Sequence, residues 1–338
     1  MSKEIDELKS IAGDYKTWAL QARKKFIYLR LQQDLEIREL YIKLTKNISN
    51  ELKKGGLSPI NKKRLQQIDN SLKEVEDRLN GQLTINFEKH TKENIEVAVG
   101  YSKAITIDVI EKAGINKITT SNIKKIYFRV NEKAVEAIWS RTENGLYLSE
   151  RIWSKSQKYR KNMTDIIQSA VAEGQDCVKT ARALEEYVLK GKKTLASEYP
   201  NMMTRIGNRV PGNVSYEALR LARIEMTAAY GEATLSAAKI SPSCSGIKYI
   251  LSASHPKPDI CDDITGTDKH GLGIGVYPTD EAPLYPFHPC CLCIVTTVNE
   301  RPEDFVQRLK RWDADPQSEP SIENWYQDVY KKMNNMNN

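Results

Sequence analysis

The chain has 338 residues, 40% hydrophobic and 28% charged, with a net charge of +7, which leaves room for two or three domains with wide solvated faces. No run of about 18 apolar residues occurs, which excludes a helical membrane span. Residues 1–9 are charged throughout and lack the apolar centre of a signal peptide. The expectation is therefore synthesis in a reducing cytoplasm, where clustered cysteines more often bind metal than pair as disulfides. Charge is uneven: residues 1–240 hold 42 Lys/Arg against 30 Asp/Glu, and residues 241–338 hold 9 against 14. The asymmetry points the long N-terminal part towards an acidic partner such as nucleic acid, or else describes a Lys-rich solvated surface.

Residues 5–53 contain no proline and carry apolar residues at spacings of two to four, which predicts one long helix. Gly55, Gly56 and Pro59 break it. A second helix is predicted over 61–80, with Leu65, Ile68, Leu72, Val75 and Leu79 on one face and Gly81 as its C-terminal cap. The pair reads as an antiparallel hairpin or coiled-coil arm. Further helices are predicted over 93–113, 131–142, 149–172 and 178–189, with Ser121 able to cap another. Ser215 opens a helix to Ile240, closed by Ser241 and Pro242. Trp139 and Trp153 read as core anchors. Strands are predicted at 246–251 and 294–298, the second a β-branched run. A helical tail follows, with Phe305, Leu309, Trp312, Trp325 and Tyr330, and the Asn-rich terminus is expected to fray. The fold class is mostly α: an extended helical N-terminal body with a small zinc-stapled α+β module near the C-terminus. The expected divisions are a helical arm (1–140), a helical middle region (141–214), the module (215–300) and the tail (301–338).

Between the two predicted strands lies a long loop rich in proline and glycine, costly to order by packing alone. Its ends carry His255, Cys261, His288, Cys291 and Cys293. Thiolate and imidazole are the donors zinc prefers, and metal binding free energy becomes folding free energy. Five donors compete for four tetrahedral places. Cys291 and Cys293, two apart, share a side of an extended chain while Cys290 faces away. The favoured set is Cys261, Cys291 and Cys293 with one histidine, either His255 or His288. His270 sits mid-loop with no nearby thiol. Asp259, Asp262 and Asp263 read as groups that orient histidine N–H or cap the turn. The chain lacks a helical His-Glu-x-x-His and a His-x-Glu with Pro-Cys-x-x-Cys, so the ion is expected to be structural and the protein not an enzyme.

Three segments resemble the phage Mu F-like minor head proteins, the phage head morphogenesis family. They are Asn144-Gly-Leu-Tyr-Leu-Ser149-Glu-Arg151-Ile-Trp153, then Arg223-Ile-Glu225, then the most specific, Ser254-His255-Pro-Lys-Pro-Asp259-Ile-Cys261-Asp262. The third continues through Gly271-Leu-Gly273-Ile-Gly275-Val-Tyr-Pro278 to His288-Pro-x-Cys291-x-Cys293. The resemblance covers about residues 140–298. This chain has Leu292 where the family often has Arg, and it adds Cys290. The resemblance implies a virion component inside the capsid, bound to the portal protein, with the major capsid protein or packaged double-stranded DNA as further candidate contacts, acting in head assembly or DNA delivery. Some relatives carry an enzymatic toxin domain behind this module, so a zinc-dependent hydrolase is one alternative, although only about 40 residues follow Val298. A helical DNA-binding protein is another.

Overall fold

The computed structural model describes residues 2–255, 257–289 and 291–335. Pro256, Cys290 and the last three asparagine-tail residues lie outside the described residues. In chain order the helices are α1 (Lys3–Ala12), α2 (Lys16–Lys53), α3 (Lys62–Ala113), α4 (Thr120–Ser140), α5 (Leu148–Ala172), α6 (Cys177–Lys190), α7 (Lys192–Glu198), α8 (Pro200–Ile206), α9 (Tyr216–Ile240), α10 (Ile260–Gly266), α11 (Pro302–Ala314), α12 (Pro320–Trp325) and α13 (Lys332–Asn335). The strands are β1 (Thr142–Glu143), β2 (Leu146–Tyr147), β3 (Cys244–Ile250), β4 (Val276–Tyr277) and β5 (Ile294–Asn299). The fold is mostly α with a small α+β module near the C-terminus, as the sequence predicts. No described helix is long and apolar enough to cross a membrane.

Three helices differ from the sequence reading. The one helix expected over 5–53 is interrupted at Gly13, whose left-handed φ of +54 ends α1 before α2 begins. α3 runs unbroken through Gly81, where helices over 61–80 and 93–113 were expected. The buried series Ile68, Leu72, Val75, Leu79, Leu83 and Phe87 keeps its spacing of three and four through that glycine. Burying that series outweighs the roughly 1 kcal/mol a helical glycine costs. α4 likewise begins before the expected 131–142 segment, at Thr120, with the Thr119 hydroxyl accepting from Asn122 N–H (3.2 Å). Trp153 is exposed and Trp139 half-buried, so neither anchors a core.

The chain packs as two compact units, which cut across the expected sequence blocks. The first gathers residues 1–30, 90–139 and 224–338, the second residues 31–89 and 140–223. In the second unit α2 and α3 form the expected antiparallel hairpin. Gln33 Nε2 donates to Asn86 Oδ1 (3.2 Å), Asn86 Nδ2 donates to Glu36 (2.8 Å), and Lys89 pairs with the same carboxylate (2.9 Å). Arg160 on α5 ties Glu76 and Asp69 to it (3.1 Å each). Gly55 makes the turn because a Cβ there would collide with the buried Cys177 sulfur.

The first unit holds an antiparallel sheet of order β4-β3-β5, registered Ile247↔Tyr277 and Ile250↔Ile294. β5 forms because a run of β-branched residues packs well on a pleated, buried surface. α1 packs against β3 and β5. Lys248, almost fully buried on β3, donates from Nζ to the Ile274 carbonyl (2.6 Å) and pairs with Glu7 of α1 (2.7 Å). Glu4 accepts from Ala253 N–H, so α1 is bonded to the strand and to the loop that follows it. Glu7→Gln should lower unfolding free energy in urea by about 1–2 kcal/mol, the cost of weakening a charge-assisted bond to a buried ammonium. The tail residues Phe305, Leu309, Trp312, Trp325 and Tyr330 are all buried. Trp325 Nε1 donates to the Ile240 carbonyl (2.8 Å), and Tyr330 Oη accepts from Thr119 N–H (2.9 Å).

Candidate metal centre

Three pieces of chain position the donors. The end of the β3–β5 ladder at Ile250↔Ile294 fixes Cys293, one residue before β5, and the Ser252 N–H supports its sulfur. The first turn of α10 fixes Cys261. Asp259 is the N-cap, its Oδ1 accepting Cys261 N–H at 2.7 Å, and Asp262 Oδ2 accepts Asp259 N–H in return at 2.8 Å. This reciprocal capping box locks both the turn and the thiol it carries. The segment before β5 supplies His288 and Cys291, joined by the Cys291 N–H to the His288 carbonyl (3.2 Å).

Tyr285 supports that segment from beneath. Its hydroxyl donates to the Cys293 carbonyl (2.5 Å), and burial holds its pKa well above the ordinary tyrosine value. Gly231 of α9 makes room for it. A Cβ at Gly231 would lie 2.8 Å from Tyr285 Cδ1 and 2.9 Å from its Cβ. Gly231→Ala should therefore destabilise the protein by about 1–3 kcal/mol, read as a lower urea midpoint at unchanged slope. Arg23 of α2 donates to the Leu292 carbonyl (3.1 Å), between the last two cysteines.

The structure brings all five expected donors into one cluster and adds Asp259. Cys261, Cys291 and Cys293 have mutual sulfur separations within 4.8 Å and are buried. His255, Asp259, Cys261 and His288 form a second set within the same limit, so Cys261 belongs to both. Cys261 and Cys291 Sγ stand 3.7 Å apart, against about 3.8 Å for two thiolates on one tetrahedral zinc. His288 Nε2 is 3.1 Å from Cys261 Sγ and 3.4 Å from Asp259 Oδ2, and His255 Nε2 is 3.6 Å from Asp259 Oδ1. His255 Nε2 also meets Asp262 Oδ2 at 3.0 Å. Cys290 lies outside the described residues. His270 stays apart, its ring against Tyr277 and its Nδ1 3.6 Å from Glu281.

The electrostatics fit a cation. The hydrogen bond from the Cys293 thiol pulls Cys291 down to about 5, and sharing that proton pushes Cys293 up. Burial, and then the Cys291 charge, push Cys261 up to about 12. By themselves the three touching sulfurs thus hold one negative charge. A divalent ion lets all three ionise, so the donors present suit a metal that takes thiolate and imidazole. The Cys261 and Asp259 backbone N–H groups hold Asp259 and Asp262, respectively, below the usual carboxylate range.

Asp259 as a metal donor was not legible in the sequence, where it reads as a group that orients a histidine N–H or caps the turn. It does both, with Oδ1 on the backbone and Oδ2 towards His288. Of the other segments singled out in the sequence, Arg223 makes a two-pronged pair with Asp34 (3.0 and 2.5 Å), Arg151 pairs with Glu143 (2.7 Å), and Glu225 is buried. No known protein family, curated protein or solved structure matches the chain.

Proposed function

We propose that the chain is a phage minor capsid protein of the Mu F-like head morphogenesis type, placed inside the capsid against the portal protein and acting in head assembly or DNA delivery. In this reading a zinc ion on the Cys261–Cys291–Cys293 trio and the adjoining histidines is structural and pins the loop. One observation carries the proposal: the residues of the most specific resembling segment, spread over 39 positions from His255 to Cys293, converge on one donor cluster. The ion's role follows from the donor set, since thiolate-rich sites are usually closed to substrate. The test is a phage lacking this protein, complemented with the wild-type chain or with Cys293→Ser. Loss of infectious particles without the chain, restored by wild type and not by the variant, is expected. Normal assembly, DNA retention and infection in its absence would overturn the role.

A second support concerns DNA. The unit formed by residues 31–89 and 140–223 holds 26 Lys/Arg against 18 Asp/Glu, whereas the other holds 25 against 26. Charge of this sign would favour phosphate-backbone contact by the former unit. Duplex binding by the full chain should then weaken steeply between 50 and about 200 mM salt, and Lys192→Glu with Lys193→Glu should reduce that slope. Binding that is absent, or insensitive to salt, would remove DNA from the list of partners.

A further inference from the structure

We propose that the cluster binds two divalent ions bridged by the Cys261 thiolate, one completed by Cys291 and Cys293 and the other by His255, Asp259 and His288. The proposal rests on the zinc reading of the same site and sets its stoichiometry.

Three observations lead to it. First, among the described residues the donors fall into two sets that share Cys261 alone, and neither joins a histidine to all three sulfurs. One ion on three thiolates and a histidine would therefore need these side chains to move closer together. Second, one edge in each set matches a metal tetrahedron: the Cys261–Cys291 sulfur pair at 3.7 Å, against about 3.8 Å, and His288 Nε2 to Asp259 Oδ2 at 3.4 Å, against about 3.4 Å, while His288 Nε2 to Cys261 Sγ at 3.1 Å must open slightly to admit an ion. Third, the charges balance. Three thiolates and one carboxylate carry four negative charges, which two dications neutralise and one leaves in excess, beside thiols that are fully buried.

The Asp259 carboxylate is divided to suit. Oδ1 is held by Cys261 N–H, while Oδ2 faces His288. Loading releases the two remaining thiol protons, those of Cys261 and Cys293, to solvent and replaces the His255–Asp262 contact, with His255 Nε2 turning its lone pair to the ion. The histidine–carboxylate ion then has four protein ligands. The thiolate ion has Cys261, Cys291 and Cys293.

The experiment is zinc per chain in purified full-length protein, saturated with Zn2+ and desalted, with X-ray absorption at the zinc edge. Two zinc per chain and a zinc–zinc distance of about 3.5–4 Å are expected. Asp259→Asn, which keeps the helix cap because asparagine caps as well as aspartate, should drop the count from two to one. His255→Ala should do the same, and in both variants substitution with Co2+ should retain the sulfur-to-cobalt charge-transfer band of the trio. One zinc in the wild type, or a count unchanged in both variants, overturns the two-ion site while leaving a structural zinc in place. No zinc in a folded wild-type protein overturns both readings.

Discussion

Cys261→Ser should leave the protein without bound metal and lower its stability by about 4 kcal/mol or more. Cys261 is the one donor common to both sets, so its loss removes a thiolate from each. An ion held at a thousandfold excess over its dissociation constant stabilises the folded state by about 4 kcal/mol, and structural zinc in peptides contributes more. The segment between β3 and β5 contains one two-turn helix and one two-residue strand, so its order rests on the cap, the ladder and the buried Tyr277 and Tyr285, to which a bound ion would add. Chelation should mimic the substitution. Acid should too, because each thiolate and imidazole exchanges the ion for a proton as pH falls. Cys177→Ser is the control: Cys177 is just as buried but belongs to the other unit, and this variant should keep its metal. The measurement is metal content beside thermal unfolding. A Cys261→Ser protein with unchanged metal and melting would show that the ion is held elsewhere or not at all.

Much of this centre was legible in the sequence because donor type is a local property. His255, Cys261, His288, Cys291 and Cys293 declare their chemistry wherever the chain takes them, and Ile294 to Val298 declares a strand by side-chain branching. What was not legible depends on distance in space. Nothing local in α1 says that Glu4 and Glu7 will meet Ala253 and Lys248, about 240 residues later. Val276–Tyr277 is too short to show a period of two, yet it completes the sheet. The α10 cap that holds Cys261 N–H and the Tyr285 bond to the Cys293 carbonyl are likewise not encoded in the Cys and His spacing. Gly81 misled in the opposite direction, since its local signal was clear and the apolar series running through it was stronger.

Gly275→Ala should cost about 2–5 kcal/mol and weaken metal binding as well. Gly275 has φ +66, a left-handed conformation that costs an L side chain about 1–2 kcal/mol. That alone is modest. The larger part is contact, because a Cβ there would sit 2.7 Å from the Thr265 carbonyl oxygen and 2.8 Å from that of Tyr249. Both are backbone atoms and cannot swing aside as a flexible side chain would, so the neighbouring elements must move, at about 1–3 kcal/mol. The elements concerned are those that aim the donors. Gly275 N–H donates to the Thr267 carbonyl (2.8 Å), just past α10, and its own carbonyl accepts Tyr249 N–H (2.9 Å) on β3. Pushing α10 away from β3 displaces Cys261 relative to Cys293, whose sulfurs the proposed ion needs together. Gly271→Ala separates the two causes. It has a similar φ of +70 but no atom within 4 Å of the added Cβ, so it should cost about 1–2 kcal/mol and leave metal affinity intact. Urea unfolding and zinc competition on the two variants read both quantities. Equal effects would mean that conformation rather than contact governs this corner of the module, and that α10 does not lean on Gly275 to hold its thiol.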